Sequence, residues 1–160
     1  MTEPKPTLYL ETSVVSYLTS RLSRDLVAAA RQEITRRWWE QDVDKYDVFV
    51  SEVVIEEAGQ GDDDTARKRL DILSRFPLLP SGDSVRRTAK LYAQNGVTPP
   101  SNPGDAAHLA FAAIGGIDFL VSWNFKHLVN AFVRRRLRDV NVRQGLHTPT
   151  ICTPEELLGE

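Results

Sequence analysis

The sequence predicts an α/β fold in which helices cover a mainly parallel sheet in a three-layer α/β/α arrangement. Short apolar runs rich in Val, Ile and Tyr recur along the chain, and a helical pattern follows each of the longer ones. Strands that alternate with helices favour a parallel sheet. The length of 160 residues suits one domain with its own core, so we expect residues 1–160 to form a single domain.

Local signals place the elements in order. The predicted strands are the apolar runs at residues 8–10, 46–51, 76–79, 117–122 and 150–152. The predicted helices cover residues 12–19, 24–40, 53–59, 63–75, 84–95, 104–114 and 125–138. Residues that stop helices follow three of these patterns: Pro77, Asn95-Gly96 and Gly115-Gly116. A capping box begins a last helix and consists of Thr153, Pro154 and Glu156.

The longest predicted helix follows Ser23, a residue that suits the N-cap position. The apolar side of this helix is predicted from residues four apart: Leu26, Ala30, Ile34 and Trp38. Because Trp38 continues this stripe, the adjacent Trp39 points elsewhere. Core packing is the simplest explanation for both rings, while an outward aromatic ring is typical of a protein interface.

The net charge of −2 hides an uneven distribution. Residues 52–64 contain six acids and no Lys or Arg, whereas residues 126–143 contain six bases and one acid. The basic stretch is interpreted either as a solvated helix face or as a surface for a phosphate backbone or an acidic protein. Its arginines include Arg134, Arg135, Arg136 and Arg138.

Composition and motifs exclude several classes. No apolar run approaches the ~18 residues of a membrane span, and the N-terminus lacks the apolar core of a signal peptide. Cys152 is the one cysteine, so no internal disulfide can form, and we expect a cytoplasmic protein without membrane contacts. Cys152 is predicted to be buried on the last strand. No nucleophile elbow, P-loop or dinucleotide fingerprint occurs.

Polar residues lie near the ends of the predicted strands, where parallel sheets bind ligands. Glu11 directly follows the first strand, Glu57 comes after the second, Asp105 opens the helix at 104–114, and Asn124 follows the strand at 117–122. Taken singly, each is explained by solvation or by a helix N-terminus. Together they predict a carboxylate cluster, which repulsion and burial make costly unless a cation neutralises it.

The ligand types indicate which cation this cluster binds. Carboxylate and amide oxygens, with few Cys or His candidates, favour Mg²⁺ or Mn²⁺ over zinc. Such an ion can activate water and stabilise the charge that develops on a phosphoryl group. The cluster therefore points to phosphodiester hydrolysis.

Four segments carry a resemblance to a known family: LYLETSVVSYL, FVSEVVIEEAGQGD, PGDAAHLAFAAIGGIDFLVSWNFKHL and TPTICTPEELL. In this order and spacing they cover almost the whole chain and resemble the PIN-domain family, in particular the VapC-like toxin ribonucleases of type II toxin–antitoxin systems. The resemblance implies a PIN-like fold and a divalent-metal-dependent endoribonuclease that hydrolyses RNA with metal-activated water. It also implies a homodimer and an inhibitory antitoxin protein.

Carried over position by position, the resemblance implies four catalytic residues, the first three of which hold the metal: Glu11, Glu57, Asp105 and Asn124. Glu56 is the alternative to Glu57, although a helix turns adjacent side chains about 100° apart. Supporting hydroxyls would come from Ser13 and Ser122. Two residues depart from the family pattern, because Glu11 is one methylene longer than the usual Asp and Asn124 replaces an acid.

Two rival functions use the same residues. A PIN-like scaffold could bind RNA or a protein partner without cutting it, since Asn124 removes one charge from the site. A phospho-accepting receiver domain also gathers acids at parallel strand ends. It requires two adjacent acids after the first strand, however, and Glu11 stands alone there.

The histidines do not form a transition-metal pattern. His108 lies three residues after Asp105 on the same predicted helical face, but no other histidine has matching spacing. We therefore predict that His108 is structural and hydrogen-bonded near the site. His127 and His147 are predicted to have no special role.

Overall fold

Four short parallel strands form one sheet, and helices flank it in a computed structural model that describes residues 3–159. The strands are β1 (Thr7–Leu10), β2 (Asp47–Phe49), β3 (Phe119–Val121) and β4 (Thr150–Cys152), in the order β2-β1-β3-β4. All three strand pairs are parallel. The predicted α/β/α fold with a parallel sheet is therefore confirmed. The segment predicted as a strand at 76–79 contributes one parallel bridge, between Val50 and Leu78.

Eight α-helices are described, together with a short 3-10 helix at Val43–Lys45. They are α1 (Thr12–Thr19), α2 (Leu26–Gln41), α3 (Glu52–Ala58), α4 (Asp63–Leu73), α5 (Asp83–Gln94), α6 (Pro103–Ile114), α7 (Ala131–Gln144) and α8 (Pro154–Leu157). These bounds lie close to the predicted ones for every helix except α7. Among residues 3–159, no helix is both long and apolar enough to cross a bilayer.

The predicted start of α7 at Phe125 was wrong. Residues 125–130 form turns, in which Asn124 Oδ1 accepts a hydrogen bond from the His127 amide at 3.1 Å. Asn130 is the N-cap of α7, since its side chain accepts from the amides of Phe132 and Val133. Both asparagines can cap, and the chain uses the first for a turn and the second for the helix.

The predicted N-cap of α2 and the first half of its predicted apolar stripe were also wrong. Its N-cap is Asp25 rather than Ser23, because the Asp25 carboxylate accepts from the Ala28 amide at 2.9 Å. Leu26 is 86% exposed and Ala30 is also exposed, so the first turns of α2 lie outside the core. The second half of the stripe is confirmed, since Trp38 is buried and Ile34 packs against the core.

The buried face of α2 is partly polar. Its buried residues are Gln32, Thr35 and Trp38, and Thr35 Oγ1 accepts from Trp123 Nε1 at 2.8 Å. Trp38 is fully buried, and Trp39 is partly buried with its ring centroid 5.8 Å from that of Phe76. Core packing is thus confirmed for both tryptophans.

The sheet forms the centre of the core. Leu8, Tyr9 and Leu10 of β1 are fully buried, as expected for an inner parallel strand that is covered on both faces. Cys152 is buried on β4, as predicted, and burial raises the pKa of its thiol to about 12.

The order of the strands creates a switch point next to β1. β2 pairs with one side of β1 and β3 pairs with the other, so the strand order reverses direction at β1. In open parallel sheets, ligand crevices form at such a point, at the carboxyl ends of the strands. Glu11 follows β1 and Ser122 follows β3, so both lie at this point. The Glu11 amide donates to the Val121 carbonyl at 3.1 Å, which extends the β1–β3 pairing up to the site.

Helix α6 brings two ionisable residues into the interior. Its sequence, PGDAAHLAFAAI, is almost entirely small or apolar, and it packs against α5, α3 and β3. Because most of its faces are buried, Asp105 and His108 are carried inside with the alanines around them. Pro103 fits the first turn, where no intrahelical amide bond is lost.

A buried acid near the end of α2 makes stability dependent on pH. Asp42 is 3% exposed, and its carboxylate accepts from Lys45 Nζ at 2.6 Å and from the Gly159 amide at 3.0 Å. The hydrogen bonds from Lys45 and Gly159 outweigh burial and lower the pKa of Asp42. A lowered folded-state pKa adds stability above the unfolded-state pKa, and this stability is lost as the pH falls through the folded-state value.

We therefore expect Asp42→Asn to reduce the free energy of unfolding by about 1–2 kcal/mol at pH 7. This deficit should shrink as the pH falls below about 4, because wild-type Asp42 then becomes protonated too. Urea titrations across the acid range measure it. Asp44→Asn removes the same charge from an exposed neighbour and should show neither effect.

Candidate metal centre

Glu11 is held at the start of α1 by one of its two carboxylate oxygens. It is 5% exposed and is the N-cap of α1, where Oε1 accepts from the Ser13 amide at 3.2 Å. The same oxygen accepts from the Ser122 hydroxyl at 2.6 Å and from the Ser13 hydroxyl. Within residues 3–159 every donor to the Glu11 side chain reaches Oε1, which leaves Oε2 without a hydrogen bond.

Glu57 in α3 is held in the same one-sided way. Its Oε1 accepts from Thr12 Oγ1 at 2.8 Å and from His108 Nε2 at 2.6 Å, whereas no described donor reaches Oε2. A Cβ on residue 104 would lie 3.2 Å from Glu57 Oε2, so Gly104 lets the start of α6 approach this carboxylate. Glu56, the alternative considered above, is exposed.

Asp105 lies in the first turn of α6 and is 8% exposed. Its Oδ1 accepts from Asn124 Nδ2 at 3.3 Å. Its Oδ2 is buried and makes no hydrogen bond of good geometry with the described residues, although His127 Nδ1 lies 2.9 Å away. Asp105 therefore also keeps one oxygen without a well-aligned donor.

Three residues converge most closely. Ligand atoms of Glu11, Glu57 and His108 all lie within 4.8 Å of one another. Asp105 lies outside this group but close enough for its charge to interact with those of Glu11 and His108. Asn124 lies against Asp105. The four predicted catalytic residues thus form two neighbouring pairs, Glu11 with Glu57 and Asp105 with Asn124.

The pKa shifts of Glu57 and His108 follow from their contact. Burial opposes ionisation of Glu57, but the hydrogen bond and charge of His108 and the bond from Thr12 outweigh it and lower the pKa of the carboxyl. Burial likewise opposes protonation of His108, but the bond to Glu57 and the charges of Glu11, Glu57 and Asp105 raise its pKa. This pair therefore favours an ionised carboxylate beside a protonated ring.

Asp105 shifts in the opposite direction. Burial is the main cause that raises the pKa of its carboxyl, and the Glu11 charge adds to this. His127 and His108 act against the increase without overcoming it. A raised carboxyl pKa in a polar cleft indicates a position where a further cation would be stabilising.

This donor set fits a divalent cation that prefers oxygen ligands. Glu11 Oε2, Glu57 Oε2 and Asp105 Oδ2 come from three carboxylates that other residues already orient, and hard cations such as Mg²⁺ or Mn²⁺ bind such oxygens. Both ring nitrogens of His108 are already engaged in hydrogen bonds, so this residue does not complete a nitrogen-rich transition-metal site.

A basic groove adjoins these acids. Lys126, His127 and Arg136 line it together with residues 96–100, and His127 also contacts Asp105. The other arginines of the basic stretch lie elsewhere: Arg134, Arg135 and Arg138 line a separate groove beside β4. Arg134 Nε donates there to the Ile151 carbonyl at 3.0 Å. Part of the basic stretch is therefore structural, whereas Arg136 shares a groove with His127, the residue that contacts Asp105.

Several residues at the site were not anticipated. His127 was predicted to have no special role, yet its Nδ1 is 2.9 Å from Asp105 Oδ2. Thr12 donates to Glu57, and Tyr9 hydrogen-bonds His108. The spacing of His108 three residues after Asp105 was a usable signal, and its predicted hydrogen bonding near the site is confirmed.

Acids gathered at the carboxyl edge of a parallel α/β sheet define the kind of centre that metal-dependent nucleases use. Residues 8–126, about three quarters of the chain, match the PIN domain family. The chain therefore belongs to the PIN domain family, whose members are generally metal-dependent nucleases. No individual curated protein matches the chain.

Proposed function

We propose that residues 1–160 form a single PIN-like domain that acts as a Mg²⁺- or Mn²⁺-dependent endoribonuclease of the VapC toxin type. One observation carries this proposal. Glu11, Glu57 and Asp105 are each held by one oxygen and keep the other without a well-aligned donor at the same edge of the sheet. Three negative charges held in this way at one edge of the sheet repel one another unless a cation neutralises them.

Glu11 and Glu57 would hold the cation, with Asp105 as the third carboxylate ligand. When bound, the ion would lower the pKa of water and stabilise the charge that develops on the phosphoryl group. Asn124 would position Asp105 through its Nδ2 donor. Ser122 and Ser13 would fix the orientation of Glu11 through their hydroxyls.

A titration with Mn²⁺ tests this proposal. We expect calorimetry of the metal-stripped protein to show binding that Asp105→Asn weakens at least tenfold, because the substitution removes the charge and replaces one oxygen with a donor group. Mn²⁺ should also restore RNA cleavage that EDTA stops. Absence of binding at millimolar Mn²⁺ would favour the non-catalytic scaffold instead. Cleavage unchanged in Asp105→Asn would contradict the role of Asp105.

The basic groove supports RNA as the substrate. Lys126 and Arg136 are exposed beside His127, whose ring contacts Asp105, so phosphates next to the scissile one would meet positive charge there. Phosphate contacts of this kind supply affinity that falls with salt. We propose that this groove holds the RNA backbone.

Lys126→Ala and Arg136→Ala should each weaken binding of a short single-stranded RNA and reduce the slope of log K against log salt by about one. Fluorescence anisotropy in EDTA measures binding without cleavage. Arg135→Ala is the matched control, since Arg135 is an exposed arginine of the same helix that lines the other groove. Equal losses in Arg135→Ala and Arg136→Ala would show a nonspecific charge effect.

The resemblance to toxin ribonucleases extends the proposal to partners. We propose a cytoplasmic homodimer that an antitoxin protein inhibits. Three exposed apolar side chains near the start of α2 support a protein contact: Leu22, Leu26 and Val27 are 76%, 86% and 57% exposed. We propose that these three side chains, which are close in the sequence, contribute to that contact.

A further inference from the structure

His108 is fully buried and uses both ring nitrogens. Nε2 lies 2.6 Å from Glu57 Oε1, and Nδ1 lies 2.6 Å from the Tyr9 hydroxyl. Because an ionised carboxylate only accepts, Nε2 carries a proton and donates to Glu57. A buried histidine with two such short contacts is fixed in both position and orientation.

The second contact continues into the core. The Tyr9 hydroxyl lies 2.7 Å from Ser51 Oγ, and Ser51 is the N-cap of α3, accepting from the Val54 amide at 3.3 Å. Tyr9, Ser51 and His108 are all fully buried. The chain of contacts starts at the cap of α3, passes through β1 and α6, and returns to α3 at Glu57.

This closed chain acts on one carboxylate oxygen. His108 from α6 and Thr12 from α1 both donate to Glu57 Oε1, so the carboxylate cannot rotate without losing two bonds. The other oxygen, Oε2, stays without a described donor beside Gly104. His108 lies close enough to Glu11 and Glu57 to be counted as a third metal ligand. Its two hydrogen bonds indicate instead that it orients Glu57.

We propose that His108, held by Tyr9, is a positioning residue that keeps Glu57 Oε2 available to a cation, rather than a ligand of that cation. This inference rests on the proposed metal site and adds which residues fix the orientation of its ligand Glu57. Groups that orient metal ligands typically change metal affinity by about 10–100-fold when they are removed. A side-chain amide that donates from the position of the ring Nε2 should preserve most of the metal affinity.

The experiment measures Mn²⁺ affinity by electron paramagnetic resonance of the free ion, which does not depend on activity. His108→Leu should weaken binding by about 10–100-fold. His108→Gln should recover most of the loss, since the Gln amide can donate where Nε2 does. Tyr9→Phe, which keeps the ring and removes only the hydroxyl contact, should weaken binding by a smaller factor.

Tyr92→Phe is the matched control for Tyr9→Phe. Tyr92 is also fully buried, and its hydroxyl donates to Asn141 Oδ1 at 2.6 Å, outside the hydrogen bonds that hold Glu57. It should lower stability and leave Mn²⁺ affinity unchanged. If His108→Leu does not fold, Tyr9→Phe and His108→Gln still decide the question.

The outcomes separate the two proposals. Wild type that fails to bind Mn²⁺ would overturn the metal site and this inference with it. Wild type that binds, with Tyr9→Phe indistinguishable from Tyr92→Phe, would overturn the positioning role alone. His108→Gln as weak as His108→Leu would also overturn the positioning role, because a restored donor to Glu57 would then not restore Mn²⁺ affinity.

Discussion

Glu57→Gln is expected to reduce RNA cleavage by roughly 100-fold or more and to remove most Mn²⁺ binding. The Gln carbonyl can still accept from Thr12 and His108, as Glu57 Oε1 does now. Its NH₂ group would then take the place of Oε2 and present hydrogens where a cation needs an oxygen. The substitution should therefore leave the fold intact and weaken cation binding.

Glu56→Gln is the matched control for this prediction. It makes the same change in charge one residue away, on an exposed side chain of the same helix. Wild-type cleavage in Glu56→Gln with loss in Glu57→Gln would assign the role to Glu57. Loss in Glu56→Gln alone would transfer the role to the neighbour and contradict the geometry of the site. Calorimetry measures Mn²⁺ binding, and a gel-based assay measures cleavage. Circular dichroism checks that both variants are folded like the wild type.

Elements with strong local signals could be predicted from the sequence. β1 is a short, mostly apolar run that Glu11 follows, and α6 has a proline at its start and a glycine after its end. The capping box at Thr153 and Glu156 is present in both directions, as predicted. In each case the residues that decide the structure are neighbours along the chain, so short-range rules suffice.

The sequence did not decide between two local signals that predict the same feature, such as two candidate N-cap residues. Asn124 and Asn130 can each cap a helix, and only the turns of residues 125–130 decide that the second one begins α7. The buried face of α2 includes Gln32 and Thr35, which are polar. Its apolar residue Leu26 is exposed. Hydrophobic periodicity cannot identify a face that is buried through hydrogen bonds to other elements.

The positions of the acids near strand ends and helix starts could be predicted, but their hydrogen-bond partners could not. Glu11 and Asp105 have positions that strand ends and helix starts explain. The contact of His108 with Glu57 spans 51 residues, and that of Ser122 with Glu11 spans 111. Such contacts depend on the order of the strands, which no single segment encodes. The grouping of Glu57 with His108 therefore required the folded chain.

Asn124→Asp is expected to change stability in opposite directions without and with Mn²⁺. Asn124 Nδ2 now donates to Asp105 Oδ1 at 3.3 Å, so the substitution would place two carboxylate oxygens in contact. Repulsion between like charges should lower the stability of the metal-free protein by about 1–3 kcal/mol. The added charge should bind Mn²⁺ at least tenfold more tightly, because a carboxylate attracts a divalent cation more strongly than an amide does.

Urea unfolding with and without Mn²⁺ measures both effects, since a ligand that binds only the folded state stabilises it according to its affinity. Asn102→Asp is the control, because Asn102 is exposed and its side chain contacts His127 rather than the Asp105 carboxylate. It adds the same charge near the site and should show no reversal. If Asn124→Asp is equally destabilised at all Mn²⁺ concentrations, then position 124 does not contribute to a metal site. A reversal of sign would show that the amide at position 124 limits cation affinity in favour of stability in the metal-free protein.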